Sequence, residues 1–488
     1  MNIENIVKEI KKETNNNDDI TYRKKYVCGK TLYIIYNEPL TSSDKISDFI
    51  IRSLDKINLT YDKGIDLKVI IQNDIDNFKT KIITTYKDIC YYLNYGFTII
   101  LIENCNDFIA LETKRNLSRS ISTPQAESTI RGPIDAFVED TQTNIGLIRR
   151  RIKDNNLWTY SQDIGRYTKT KVSIIYINTI VKKEKVEKIK KLLNNIDIDG
   201  IISAGTIKNL IEKENKSVFP TIISTERPDN VCQNLLKGKI AIMVDTSPFV
   251  LILPATFNDF FLTTEDSFGK SINVSLTRMI RYTAFFVSLL TPAIYIAITT
   301  YNQEILPTEL LISFTSQRES VPFPAFIEAL IMIISFEILR ESDLRIPTFT
   351  SSALSIVGTL ILGEAAVNAG IVSPIMIIVI AITSISALLF TEPEMINGLR
   401  WYRILFMLGA SLMGIYGVII IFIYYIIKMC SLNSFGIPYF YPYSPLNIQG
   451  IKNSIIKFPT KDLKKRNPLL SNNITKYKNL GDKQWKKL

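Results

Sequence analysis

Histidine is absent from all 488 residues. That excludes Ser-His-Asp and Cys-His catalysis and most zinc sites together. The five cysteines (Cys28, Cys90, Cys105, Cys232 and Cys430) are scattered and form no C-x-x-C pair. This spacing argues against a metal centre or a disulfide framework and predicts free, buried thiols in a reducing compartment. No glycine-rich phosphate loop follows any strand candidate, which argues against a nucleotide enzyme. The opening MNIENIVKEIKKE has no apolar core. No signal peptide is therefore expected, and the N-terminal part is expected to stay in the cytoplasm. The composition thus points away from an enzyme and requires no cofactor and no metal.

Charge is also missing locally. Tyr282–Gln303, Ile346–Gly363, Ala365–Thr391 and Ile404–Ile427 run for 22, 18, 27 and 24 residues without a charged side chain. About 20 apolar residues span a bilayer core as a helix. The first 280 or so residues, by contrast, read as water-soluble. The expected fold class is therefore a multi-pass α-helical membrane protein with a large N-terminal cytoplasmic α/β domain of two subdomains.

The net charge of +11 is concentrated at the C-terminus, where residues 431–488 alone carry +9. A basic stretch directly after an apolar helix reads as a cytoplasmic flank attracted to anionic lipid headgroups. It has the character of a tail and accompanies no binding motif, so nucleic acid is not an expected partner.

Along the chain, residues 1–30 are polar and Asn-rich and read as a flexible arm. Strand candidates at Thr31–Tyr36, Phe97–Ile102 and Phe108–Leu111, with helical spacing over Asp44–Ile57 and Lys81–Leu93, define a first α/β subdomain at 31–115. Residues 116–134 read as a connector. A second α/β subdomain is expected over 135–278. It contains a helix at Asp135–Ile152, a strand at Lys171–Ile177 and an amphipathic helix at Glu184–Leu193. A hairpin joins Ile240–Val244 to Phe249–Leu253. The transmembrane bundle is placed at 279–430, with spans near 282–303, 346–364, 371–391 and 403–428. A basic cytoplasmic tail occupies 431–488.

Within the bundle, residues 323–339 hold Glu328 and Glu337 on roughly opposite helix faces, so this segment reads as a re-entrant or buried helix. Glu337 can pair with Arg340 at i,i+3. Residues 353–374 are crowded with small side chains that permit close helix contact. Asn368, Ala369 and Gly370 followed by Ser373 and Pro374 predict a break between helices.

Four blocks carry a family resemblance: Arg131-Gly132-Pro133 with FVEDTQTNIGLIRRRI; TERPDNVCQNLLKGKIAIMVDTSPFVLILPATFNDFF; VPFPAFIEALIM with FEILRES; and IVGTLILGEAAVNAGIVSPIM. In this order and spacing, over residues 115–430, the chain resembles the A subunit of the GerA-type spore germinant receptors of endospore-forming bacteria. The resemblance implies a spore inner-membrane protein that works with a transporter-like B subunit and a lipoprotein C subunit, and that self-associates. It further implies a part in forming or gating an ion-conducting path that triggers germination.

Two groups of residues stand out on this reading. Glu364, Gly363, Gly370, Glu328 and Glu337 are candidates for an ion path or gate, because intramembrane carboxyls must be paired, protonated or facing water. Glu364, beside Gly363 and ahead of the break, comes first. Arg131, Gly132, Pro133, Arg149, Arg150, Arg151, Glu226, Arg227 and Pro228 are candidates for coupling between subunits. Plainer readings stand beside both groups: a helix-end glutamate, a turn leading into a helix with solvated arginines, and a proline at the first turn of a helix. A non-conducting scaffold and a secondary transporter are the alternative functions.

Overall fold

The structure is a computed structural model that describes residues 3–472 apart from 15–16, 61–79, 106, 116–122, 125, 128, 130, 213–216, 344–362, 391, 452 and 460–464. The chain forms two compact units. The first comprises Met1–Glu214, Ile222–Pro254 and Thr460–Leu488, and the second Asn215–Thr221 and Ala255–Pro459.

The first unit contains two five-stranded antiparallel sheets. Strands β1 (Ile20–Val27), β2 (Lys30–Asn37), β3 (Thr80–Ile83), β4 (Phe97–Ile102) and β5 (Phe108–Glu112) are ordered β1-β2-β4-β5-β3. Every residue of β4 is buried, because helices cover both faces of the sheet. On one face, Ile35, Ile99 and Leu101 meet Ile89 and Leu93 of the Tyr86–Asn94 helix. On the other, Leu32, Ile34, Ile100 and Ile102 meet Ile46, Ile50, Leu54 and Ile57.

Residues 3–27 are not the loose arm expected from their polarity. Ile3–Glu13 is a helix whose Ile3, Ile6, Val7 and Ile10 fall on one face at helical spacing and pack against the sheet. Ile20–Val27 then pairs with β2 along its whole length. The segment read as helix over Lys81–Leu93 is divided: Thr80–Ile83 pairs with β5, and the helix starts at Tyr86.

The second sheet holds β6 (Leu157–Ile164), β7 (Thr170–Ile177), β8 (Ile223–Thr225), β9 (Ile240–Val244) and β10 (Val250–Leu253), ordered β6-β7-β9-β10-β8. This repeats the order of the first sheet strand for strand. The helices fall at matching places: Lys183–Asn194 follows the first hairpin, and Pro228–Leu236 precedes the second. The expected helix over Asp135–Ile152 begins only at Thr141, where the Asp140 carboxylate accepts the Gln142 and Thr143 amides and caps it. The amphipathic helix is as read, with Val186, Ile189 and Leu193 buried.

The second unit is helical and aromatic-rich. Ser271–Thr300 is a single 30-residue helix that contains Pro292. Ala325–Asp343 is helical, as is Pro374–Ala387. The latter starts where Pro374 occupies the first turn and the Ser373 hydroxyl accepts the Met376 amide. With 14 residues it rises only about 21 Å, short of the roughly 30 Å of a bilayer core. The full span expected at 371–391 is thereby corrected. The span expected at 346–364 lies almost wholly outside the described residues.

The last apolar segment also departs from expectation. Pro393–Ser431 is interrupted at Gly414, whose φ of 61° and ψ of −139° are not helical. The chain reverses there. Tyr402 stacks edge-on against Tyr425 at 4.9 Å, and Phe406 lies 6.4 Å from both Phe422 and Tyr425. Residues that far apart on one straight helix could not touch. The segment read as one span over 403–428 is therefore a helical hairpin, and Asn302 caps its tip by accepting the Ile415 amide at 3.1 Å. Gly409 and Gly417 let the two legs meet backbone to backbone: a Cβ on Gly417 would overlap the Gly409 carbonyl oxygen.

Among the described residues, Ser271–Thr300 and Pro393–Ser431 meet the length and apolarity needed to cross a membrane, but the reversal at Gly414 divides the second into two shorter legs.

The tail is not free throughout. Tyr439 is fully buried in the second unit. In the first unit, Ser471 bridges antiparallel to Val181, and Arg466 donates to the Leu236 carbonyl at 2.9 Å.

Candidate functional site

The second unit gathers its carboxyl chemistry at the helix break. Residues 363–368 form a short helix. Gly370, at φ +64°, ends it: its N–H donates to the Val367 carbonyl, and the Ile371 N–H donates to Ala366. This paired arrangement is the Schellman closure that favours glycine. Three residues on, Ser373 caps the next helix. Glu328 is completely buried, and its Oε1 accepts the Ser373 amide at 2.6 Å and the Ser373 hydroxyl at 2.5 Å. A carboxyl here faces the positive end of the Pro374–Ala387 helix. Its other oxygen, Oε2, has no hydrogen-bond partner; the nearest cation is the Arg318 Nε, 3.9 Å away. The Tyr295 hydroxyl lies 3.5 Å from the Ser373 Oγ.

The structure places the other candidates differently. Glu364 is exposed on the short helix, while Gly363 beside it is buried against Ile377. Gly370 approaches the Ser320 carbonyl. Glu337 bonds Arg400 at 2.7 Å on the hairpin's first leg; the pairing with Arg340 expected from spacing is not the one made. Ser373, Arg318 and Tyr295 were not foreseen. Only Ser373 carried a signal, since serine before proline marks a helix start.

At the root of the Ser271–Thr300 helix, Arg278 and Arg281 are both buried and share Asp266 at 2.9 and 3.0 Å. Lys457 lies against the backbone carbonyls of Asp266, Ser267 and Gly269. Burial, with Arg278 nearby, lowers its pKa against the pull of Asp266.

In the first unit the two motifs singled out for coupling meet each other. Arg227 is fully buried. It holds Asp229 with two hydrogen bonds and donates to Thr129 Oγ1 at 2.7 Å, to the Glu127 carbonyl at 3.1 Å and to the Pro133 carbonyl at 2.9 Å. Glu226 accepts the amides of Ala126 and Glu127. Pro228 opens its helix, as expected. The Glu226-Arg227-Pro228 motif is thus the clamp that fixes the connector through Arg131-Gly132-Pro133.

The three arginines of the Thr141–Arg151 helix separate. Arg149 is buried and grips Asp19 at 2.7 Å, tying the first sheet's segment to the second's. Arg151 pairs with Asp135. Arg150, Arg131 and Gly132 are exposed.

All five cysteines are free. Burial pushes the Cys90 and Cys232 thiols up to about 12, which keeps them protonated and unreactive. Cys430 is exposed rather than buried.

The chain thus joins a duplicated antiparallel α/β unit to a helical unit whose apolar helices, by length and composition, suit association with a membrane. The chain belongs to the Bacillus/Clostridium GerA spore germination protein family, which it matches over residues 8–469. It is 38% identical over 460 residues to spore germination protein KA of Bacillus subtilis (strain 168), covering 93% of this chain and 84% of that one. It is 35% identical to spore germination protein GerLA of Bacillus cereus, covering 95% of each. The crystal structure of the N-terminal domain of the A subunit of the Bacillus megaterium spore germinant receptor GerK3 is 34% identical, with a TM-score of 0.41 over 51% of this chain and 94% of that one.

Proposed function

We propose that this chain is the A subunit of a germinant receptor in the spore inner membrane, where it forms or gates an ion-conducting path that triggers germination. Family membership over nearly the whole chain supports the receptor role. The observation that carries the gating reading is Glu328, sealed against the broken helix at Gly370–Ser373 with one carboxyl oxygen lacking a hydrogen bond and, among the described residues, only Arg318, at 3.9 Å, as a cation beside it. A closed gate needs a polar group that is buried when shut and able to face water when open. Movement of the Pro374–Ala387 helix would release that group. Glu364, exposed on the adjoining short helix, is the acid that a neighbouring subunit in a homo-oligomer would meet.

A transporter-like B subunit that senses the nutrient and a lipoprotein C subunit complete the receptor. The coupling surface narrows to Arg131, Gly132 and Arg150, because Arg149 and Arg227 are spent inside the first unit. The C-terminal lysines beyond Asn472 lie outside the described residues and remain the proposed contact with anionic lipid.

Purified protein reconstituted in liposomes tests conduction. Potassium flux above that of empty liposomes, altered in Glu328→Gln and Glu364→Gln, is expected. The absence of flux in complete reconstituted receptors would leave the scaffold reading instead.

A further inference from the structure

Three guanidinium groups converge where the first leg of the hairpin passes the Ala325–Asp343 helix. Arg403 is buried, with 3% of its surface exposed. Its Nε donates to the Ser288 carbonyl at 2.8 Å, but its Nη2 is buried without a partner. Arg400 pairs with Glu337 through Nη2, while its own Nε is likewise buried and unpartnered. Arg340 is half-buried on the adjoining helix. Arg403 feels the charges of Glu337, Arg400 and Arg340, and Arg340 those of Arg400, Glu337 and Glu341. Among the described residues, Glu337 is the carboxylate that pairs with this group, through Arg400. Two guanidinium nitrogens, Arg400 Nε and Arg403 Nη2, left without partners in an apolar unit call for an anion.

The position of the cluster indicates which anion. Trp401, between Arg400 and Arg403, is 63% exposed. Tyr424 and Lys428, on the returning leg, are exposed as well, and Lys428 is as far from the Gly414 turn as Arg400 is. Exposed tryptophan, tyrosine and lysine at one level of apolar helices mark the headgroup layer of a bilayer. Guanidinium forks suit phosphate oxygens.

We propose that Arg340, Arg400 and Arg403 form a binding site for the phosphate headgroup of an anionic phospholipid, whose chains run along the hairpin. The site is separate from the basic tail. The proposal rests on the membrane-embedded reading of the second unit but not on conduction.

The full chain in detergent, titrated with phosphatidylglycerol, phosphatidylcholine or inorganic phosphate, tests the proposal by thermal unfolding. Phosphatidylglycerol near saturation is expected to raise the unfolding temperature by about 5 °C, with the other two additives well below half of that. Arg340→Gln with Arg400→Gln should remove most of the shift, and the corresponding lysine pair should keep much of it. Should the double variant misfold, Arg340→Gln alone, at the edge of the cluster, should still halve the shift. An equal shift from phosphatidylcholine would overturn the proposal, as would a full shift in the glutamine variants. An equal shift from inorganic phosphate would overturn the lipid assignment and leave a free-anion site.

Discussion

Single side chains decide the interior of both units. Arg149 and Asp19 are each about 3% exposed, so removing one partner strands the other charge in a dry environment. Arg149→Met should cost about 3–5 kcal/mol, read by denaturant unfolding. Asp19→Asn combined with Arg149→Met should cost less than the sum of the two single changes. Arg227→Lys should behave similarly, because an ammonium cannot reproduce five hydrogen bonds spread over four partners; a loss of about 2 kcal/mol or more is expected. Neither role was legible beforehand. Arginines at a helix C-terminus look solvated in sequence, and nothing in a sequence names Asp19, 130 residues away, as a partner. Glu328 was visible as a costly intramembrane acid, but its partner Ser373 could be found only once the helices were packed.

At the scale of elements, local rules did most of the work where they were strong. The continuous apolar runs of β4 and β9, the Gly370 break, the Pro228 start and the Val186/Ile189/Leu193 face were all readable. The N-terminal helix was missed because polar residues outnumber its four-residue apolar face, although the spacing at 3, 6, 7 and 10 was present. The hairpin was missed for a different reason. A charge-free run gives length but not direction, and Gly409, Gly414 and Gly417 read equally well as a contact between straight helices. The consequence can be tested. Gly414→Ala forces a side chain into a backbone region reserved for glycine, and Gly417→Leu blocks closure of the legs. Both should lower the yield of folded protein in membranes, whereas Ile420→Leu, at an exposed apolar position on the same leg, should not.

The C-terminal strap offers a pH test. Lys185 donates to the Leu469 carbonyl at 2.6 Å. Burial first, and Lys182 second, lower its pKa from 10.5 to about 8. A lysine depressed on folding contributes stability above its unfolded pKa and loses it as the pH falls through the folded one. Wild-type stability should therefore fall relative to Lys185→Met between about pH 10.5 and pH 8. A constant difference across that range would show that the strap does not bury Lys185.

For the whole molecule, the two sheets with one strand order show that the first unit is a structural duplicate: in each copy helices follow the first hairpin, and one helix stands between the third strand and the closing hairpin. The sequence shows no such repeat to the eye, because strand order survives wherever the apolar pattern does, whatever the identities of the residues. The helical unit, by contrast, holds the sealed Glu328, the helix break at Gly370 and the reversal at Gly414, the features on which the proposed gate rests.

The central claim is that this chain acts in releasing ions at the onset of germination. The most direct measurement is early potassium and dipicolinate release from purified spores that lack the protein, beside wild-type and complemented spores, across a panel of amino acids, sugars and bile salts. The account predicts that release is lost for at least one nutrient and restored by complementation. Unchanged release for every nutrient, with the protein detected in wild-type spores, would contradict it.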